Sequence, residues 1–222
     1  MNEDKTTPNA SACAEIEHNN SRSELPINEI KESFFEALST KNQIVLTAPP
    51  GAGKSTLLPL WLLQDQFNNF EKIYLLQPRR IAAKNIASYL ANQLNEPVGQ
   101  QVGYRLRNEN KVSKNTRLEV ITEGTLTQII QNDPELNKCN LIIFDEFHER
   151  SIHADVAMAL SRETQSILRP DLRILIMSAT LNMPELVNLL KAPLVESKGR
   201  QYPVETIYMD LSDEYMMAET AA

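Results

Sequence analysis

The sequence has little of what marks a secreted or membrane protein. Its 222 residues hold two cysteines, Cys13 and Cys139, too few for a disulfide scaffold or a four-thiolate zinc site. The pair suits a reducing compartment, and a cytoplasmic protein is expected. The longest apolar run, 57–63, is seven residues, against the roughly 20 that a membrane-spanning helix needs, so no membrane partner is expected. The opening MNEDKTTPNA lacks the apolar stretch of a signal peptide. Glycine is scarce, at 6 residues, which excludes collagen-like architecture. Basic charge is short as well, with 22 Lys and Arg against 29 Asp and Glu. That deficit sits at the ends: residues 1–24 carry −3 and residues 205–222 carry −5, leaving +1 on residues 25–204. The middle is therefore free to hold local basic patches.

What is present is ordinary for a globular chain, 42% apolar and 23% charged, and long enough to bury a sizeable core. Residues 1–24 are polar and rich in Asn and Ser, and read as a disordered arm. From Leu25-Pro26-Ile27 onward, the spacing of Ile27, Ile30, Phe34, Phe35 and Leu38 predicts a helix. Short apolar runs follow at 43–48, 72–76, 118–122, 141–144 and 173–177, with a further short strand at 103–106. Most lack polar alternation, as strands buried on both faces do. Helical patterning fills 54–65, 79–94, 125–131, 154–168 and 184–190. The alternation predicts an α/β fold, a parallel sheet sandwiched by helices.

Residues 47–56 read TAPPGAGKST, between a strand and a helix. A phosphate loop needs that context, and Pro50, Gly51, Ala52, Gly53, Lys54, Ser55 and Thr56 are the candidate nucleotide-binding residues. Gly51 and Gly53 let backbone amides turn toward phosphate oxygens, and the helix start adds its positive end. Lys54 should reach the β- and γ-phosphates, and Ser55 should coordinate magnesium. The strict pattern wants glycine at position 48, where this chain has Ala48. Residues 141–150 read LIIFDEFHER, an apolar strand ending in two carboxylates. Asp145 stands where a second magnesium anchor belongs, and Glu146 beside it can take a proton from an attacking water. His148 follows as a candidate catalytic residue. His153 reads as a surface histidine.

These motifs occur in a recognisable order. Gly51-Ala52-Gly53-Lys54-Ser55, Gln77-Pro78-Arg79-Arg80, Thr122-Glu123-Gly124, Asp145-Glu146-Phe147-His148 and Ser178-Ala179-Thr180 resemble motifs I, Ia, Ib, II and III of DEAH-type superfamily 2 helicases. Phe147, the following Glu149-Arg150 and the opening Leu25-Pro26-Ile27 look most like the bacterial HrpB-type ATP-dependent helicases. The resemblance implies a RecA-like (P-loop NTPase) domain over residues 25–208, with residues 209–222 beginning an interdomain linker. It implies ATP and Mg2+ as cofactors. It implies that Arg79, Arg80, Thr122, Glu123, Gly124 and Arg105 hold a single-stranded nucleic acid, RNA rather than DNA. Arg107 belongs to the same candidate region. Ser178, Ala179 and Thr180 would couple hydrolysis to the domain interface with His148 as partner, and Tyr89 would lie near the nucleotide base. Such helicases carry a second RecA-like domain with an arginine finger in a Gln-x-x-Gly-Arg-x-Gly-Arg segment. None occurs between residues 183 and 222, so that partner domain is expected outside this chain, which is expected to be monomeric with little turnover. A DNA-acting motor and a nucleotide-gated interaction module without unwinding remain as alternatives. A small-molecule kinase is disfavoured by the Ser178-Ala179-Thr180 and Gln77–Arg80 motifs.

Overall fold

The apolar runs of the sequence become neighbouring strands of one sheet. The structure, a computed structural model, describes residues 25–65, 70–180 and 184–199. The expected arm at 1–24 and the expected linker at 209–222 lie outside the described residues. The strands are β1 (Gln43–Thr47), β2 (Ile73–Gln77), β3 (Val102–Leu106), β4 (Glu109–Lys111), β5 (Leu118–Thr122), β6 (Leu141–Phe144), β7 (Arg173–Ser178) and β8 (Leu194–Glu196). Their order across the sheet is β4-β3-β5-β2-β6-β7-β1-β8. Every neighbouring pair is parallel except β3 and β4, which form an antiparallel hairpin.

Among the described residues six helices cover the sheet: α1 (Lys31–Thr40), α2 (Leu58–Gln64), α3 (Arg80–Gln93), α4 (Glu123–Asn132), α5 (Ile152–Ile167) and α6 (Pro184–Leu190). Successive strand residues point to opposite faces, so β1 sends Ile44 and Leu46 to one layer and Val45 to the other. On the first side Phe34, Leu38, Leu58, Leu62, Ala87 and Leu90 of α1, α2 and α3 close the core. On the second side Leu126, Ile130, Ala157, Met158 and Leu190 of α4, α5 and α6 do so. All five residues of β2 and all four of β6 are buried, which is why these runs lack alternation. Among the described residues, no helix is long and apolar enough to cross a membrane.

Three local expectations change. The helix read over 27–38 opens as a 3-10 turn, Pro26–Ile30, before α1 begins. The helix read over 54–65 starts at Leu58, with Pro59 in its first turn. Pro59 has no N–H to return to Ser55, so the regular ladder begins late and residues 54–57 stay irregular. The short strands β4 and β8 were not foreseen, since three residues carry too little periodicity to read.

Candidate active site and nucleic-acid face

Parallel strands put all their C-terminal ends on one edge, and ligands bind in the crevice outside that edge. The phosphate loop leaves β1 there. The Ala48 amide still donates to the Ser178 carbonyl (3.1 Å), and Pro49 and Pro50 then end the strand. Gly51 (φ 75°) and Gly53 (φ 102°) take the left-handed region that favours glycine. Gly53 has a second constraint, because a Cβ there would stand 3.0 Å from Ile27 Cγ2 and 3.1 Å from Leu25 Cδ1. The Ile27 amide also donates to the Ala52 carbonyl (3.0 Å). The segment before α1 thus braces one side of the loop.

A strap after β8 braces the other side. The Ser197 amide donates to the Thr47 carbonyl at 2.9 Å. The Ser197 hydroxyl and the Gly199 amide donate to Glu29 Oε1, at 2.6 and 3.4 Å. Gly199 (φ 63°) crosses so close to the loop that a Cβ would lie 2.2 Å from Pro49 Cγ. The sequence carried no sign of this strap beyond an unexplained glycine.

Lys54 is buried, and its ammonium donates to the carbonyls of Ala48 (2.6 Å) and Pro49 (3.2 Å). Burial pushes its pKa down, opposed by the carboxylates of Glu146 and Asp145. Asp145, at the end of β6, is also buried. Its carboxylate accepts from the Gln77 side-chain amide and the Glu146 backbone N–H, and the Ser55 hydroxyl lies close enough to favour its charged form. Burial pushes its pKa up; the Ser55 bond opposes that, and neighbouring Glu146 adds to it. Ser55 and Asp145, both expected at magnesium, are thus brought into contact. Gln77 had no role in the sequence reading, and the structure gives it one as the residue that fixes Asp145.

Glu146 sits in the left-handed region (φ 51°), which strains a non-glycine residue. The following 3-10 turn, Phe147–Glu149, is anchored by Phe147, packed edge-on against Phe144 (6.0 Å). His148 Nδ1 accepts from the Ala179 amide (3.3 Å) and lies 3.4 Å from Glu146 Oε2. Ser178 Oγ accepts from the Thr180 amide (3.2 Å) and donates to the Thr180 carbonyl (3.1 Å), folding Ser178-Ala179-Thr180 into a tight turn. His148 therefore touches both the candidate base and that turn. Thr56 lies beside the loop, its amide donating to the Gly53 carbonyl (3.3 Å).

Along the same edge a groove of about 620 Å³ is lined by Arg80, Arg107, Thr122, Gly124, His153 and Val156, among others. It unites Arg80, Thr122 and Gly124 as expected candidates. Glu123 turns aside to accept from the Ser151 hydroxyl, which in turn caps α5 by accepting from the Ala154 amide (2.9 Å). Arg79 pairs with Glu149 (3.0 Å). Arg105, also expected on the nucleic-acid path, is engaged with a buried carboxylate. Its Nε and a terminal nitrogen lie 2.9 and 3.3 Å from the Glu119 carboxylate. That carboxylate is fully buried, and Lys72 joins it at 2.6 Å. A buried carboxylate needs such partners, so the partly exposed Arg105 acts as a counter-ion to Glu119, and Arg107 joins Arg80 in lining the groove. His153, read as a plain surface residue, lies at the start of α5 and lines the groove; its place one turn from the acidic motif was the available signal. Tyr89 stands nine positions beyond Arg80, about 14 Å down α3, and so away from the loop edge.

A DEAD/DEAH box helicase family model matches residues 28–189. The chain is 53% identical over 190 residues to the ATP-dependent RNA helicase HrpB of Escherichia coli (strain K12), covering 85% of this chain and 23% of that protein. It is 36% identical over 191 residues to an ATP-dependent RNA helicase HrpA homolog of Haemophilus influenzae, covering 86% and 15%. A crystal structure of Escherichia coli DEAH/RHA helicase HrpB superposes with a TM-score of 0.78 at 53% identity, over 82% of this chain and 23% of the other. The chain thus spans about a quarter of the length of that HrpB relative. At that identity the RecA-like reading of the sheet stands, and with the family model matching most of its length, the chain belongs to the DEAD/DEAH box helicase family.

Proposed function

We propose that this chain is the ATP-binding first domain of an RNA-dependent ATPase of helicase type, working with a second RecA-like domain to move along or separate strands. The observation that carries this is the convergence of buried Lys54 with Asp145 and Glu146, Ser55 neighbouring Asp145, which joins motifs far apart in the sequence. The donors present fit magnesium: a buried carboxylate and a hydroxyl are hard oxygen ligands, and magnesium takes one or two such groups with the rest from phosphates and water. Among the described residues no group of three or more His, Cys, Asp or Glu forms a cage, which agrees with a metal carried in by its nucleotide. When bound, it would neutralise charge on the β- and γ-phosphates.

The chain's own residues do the rest. Lys54 exchanges the Ala48 and Pro49 carbonyls for phosphate oxygens. The amides of residues 51–55 hold those oxygens. Gln77 and Ser55 keep Asp145 oriented, and Glu146 takes the proton of the attacking water. His148 links Glu146 to Ala179, so the turn of Ser178 and Thr180 senses the reacting end. Arg80, Arg107 and Thr122 grip a strand's backbone, and such contacts are sequence-tolerant and weaken with salt. The names of the relatives favour RNA over DNA; a matched RNA and DNA oligonucleotide comparison separates them. A cytoplasmic setting goes with the buried free thiol of Cys139.

The test is calorimetric titration of Mg-ADP and Mg-ATP into this chain. Binding is expected in the wild type and is lost in Lys54→Ala; equal binding by both would remove the phosphate loop from the reading. Turnover by this chain is expected to be slow, since an arginine supplied from a partner domain is worth about 10³–10⁵ in rate. Residual turnover should vanish in Glu146→Gln, and fast turnover by the wild type would contradict the need for a second domain.

A further inference from the structure

Arg79 and Arg80 are adjacent in sequence and diverge in space. Arg80 lines the groove, whereas Arg79, the residue capping the start of α3, gives its guanidinium to Glu149 (3.0 Å). That pair ties the groove side of the molecule to the 3-10 turn behind the candidate catalytic carboxylates. Glu149 is in turn wired to the site, because its amide donates to the Glu146 carbonyl (2.9 Å) and the Glu146 amide donates to Asp145 Oδ1 (2.9 Å). Glu146 holds a left-handed backbone, so the turn rests in a strained conformation kept by its contacts. The Arg79–Glu149 pair is also loose, its side chains 73% and 38% exposed. Exposed pairs are weak and exchange readily. A carboxylate presents two oxygens to a guanidinium much as a phosphate does, and the groove beside it is lined by Arg80 and Arg107 with no carboxylate among its lining residues.

We infer that Glu149 is an internal stand-in for a nucleic-acid phosphate: it holds Arg79 while the groove is empty and releases it to an arriving strand, which frees the turn that carries Glu146. Glu149 is a positioning residue in this scheme, acting on the reaction through Arg79 on one side and Glu146 on the other. The inference rests on the reading of the groove as a nucleic-acid site.

A double-mutant cycle on this chain tests it. The probe is a short labelled oligouridylate, its affinity followed by fluorescence anisotropy over a series of NaCl concentrations. Glu149→Gln should tighten binding about two- to five-fold, the size of one exposed ion pair. Arg79→Gln should weaken binding and flatten the dependence of log affinity on log salt by about 0.7, the value of one single-strand phosphate contact. In the Arg79→Gln background, Glu149→Gln should change nothing. A shift of Mg-ADP affinity on adding the oligonucleotide should appear in the wild type and vanish in Glu149→Gln.

Equal tightening in both backgrounds would mean that Glu149 merely repels the strand, and would overturn the exchange. Inert substitutions with binding intact would overturn it too, leaving the groove in place. No binding by folded wild type at low salt would overturn the groove reading and the exchange together. Both side chains are surface groups, and a thermal melt confirms that each variant is folded.

Discussion

Asp145 is a carboxylate that the fold buries at the end of β6. Gln77 and the Glu146 amide donate to its oxygens, yet burial keeps its pKa raised. The folded chain therefore holds that proton to higher pH than the unfolded chain does. The unfavourable contribution is absent at low pH, grows as pH rises from the ordinary aspartate value through the raised one, and is complete above it. Without nucleotide, Asp145→Asn is expected to melt above the wild type at neutral pH, by about 2–4 °C for each kcal/mol relieved. Acidification should close that gap. Mg-ADP should raise the wild-type midpoint by more than it raises that of the variant, which keeps Lys54 and the loop amides but loses a magnesium ligand. A variant melting below the wild type at neutral pH would mean that the hydrogen bonds outweigh the burial. At this scale the sequence named Asp145, Ser55 and Lys54 through motif spacing. It could not name Gln77 as the residue holding Asp145, since that depends on β2 and β6 being neighbours.

Strands and helices were legible where their burial was two-sided. The runs that became β1, β2, β5, β6 and β7 are mainly apolar, with Glu119 the charged exception inside β5, and their expected bounds fall within a residue of the observed ones. The β3 edge was harder. Arg105 and Arg107 look alike in sequence, and only the pairing of β3 with β5 puts Arg105 beside buried Glu119. Replacement tells them apart. Arg105→Gln leaves Glu119 with Lys72 alone and should cost about 1–2 kcal/mol, less than a fully buried pair because Arg105 is partly exposed. It should leave oligonucleotide affinity unchanged. Arg107→Gln should do the reverse, keeping the thermal midpoint while weakening binding and flattening its salt dependence by about 0.7. Chemical denaturation and anisotropy on the two variants decide the assignment. The late start of α2 was legible in principle, since Pro59 is printed in the sequence, but the strength of the motif pulled the expected helix forward to Lys54.

For the molecule as a whole, strand order is what no periodicity could supply. The sequence predicted a parallel sheet; it did not say that β1 lies between β7 and β8, or that β6 sits between β2 and β7. That order brings Lys54, Asp145 and Ser178 to one edge and sets the groove beside them. It also decides where the smallest working piece of this protein begins and ends. The family match runs from residue 28 to residue 189, but Leu25, Ile27, Ser197 and Gly199, which grip the phosphate loop from two sides, fall outside it. A fragment trimmed to residues 28–189 should retain most of the sheet, with helical signal and a cooperative melt. Its affinity for Mg-ADP should nevertheless drop by more than about tenfold, roughly 1.4 kcal/mol. Undiminished affinity would show that the loop keeps its shape unaided. A drop would place the useful cloning boundaries at or beyond residues 25 and 199, set by two outlying straps rather than by the motifs between them.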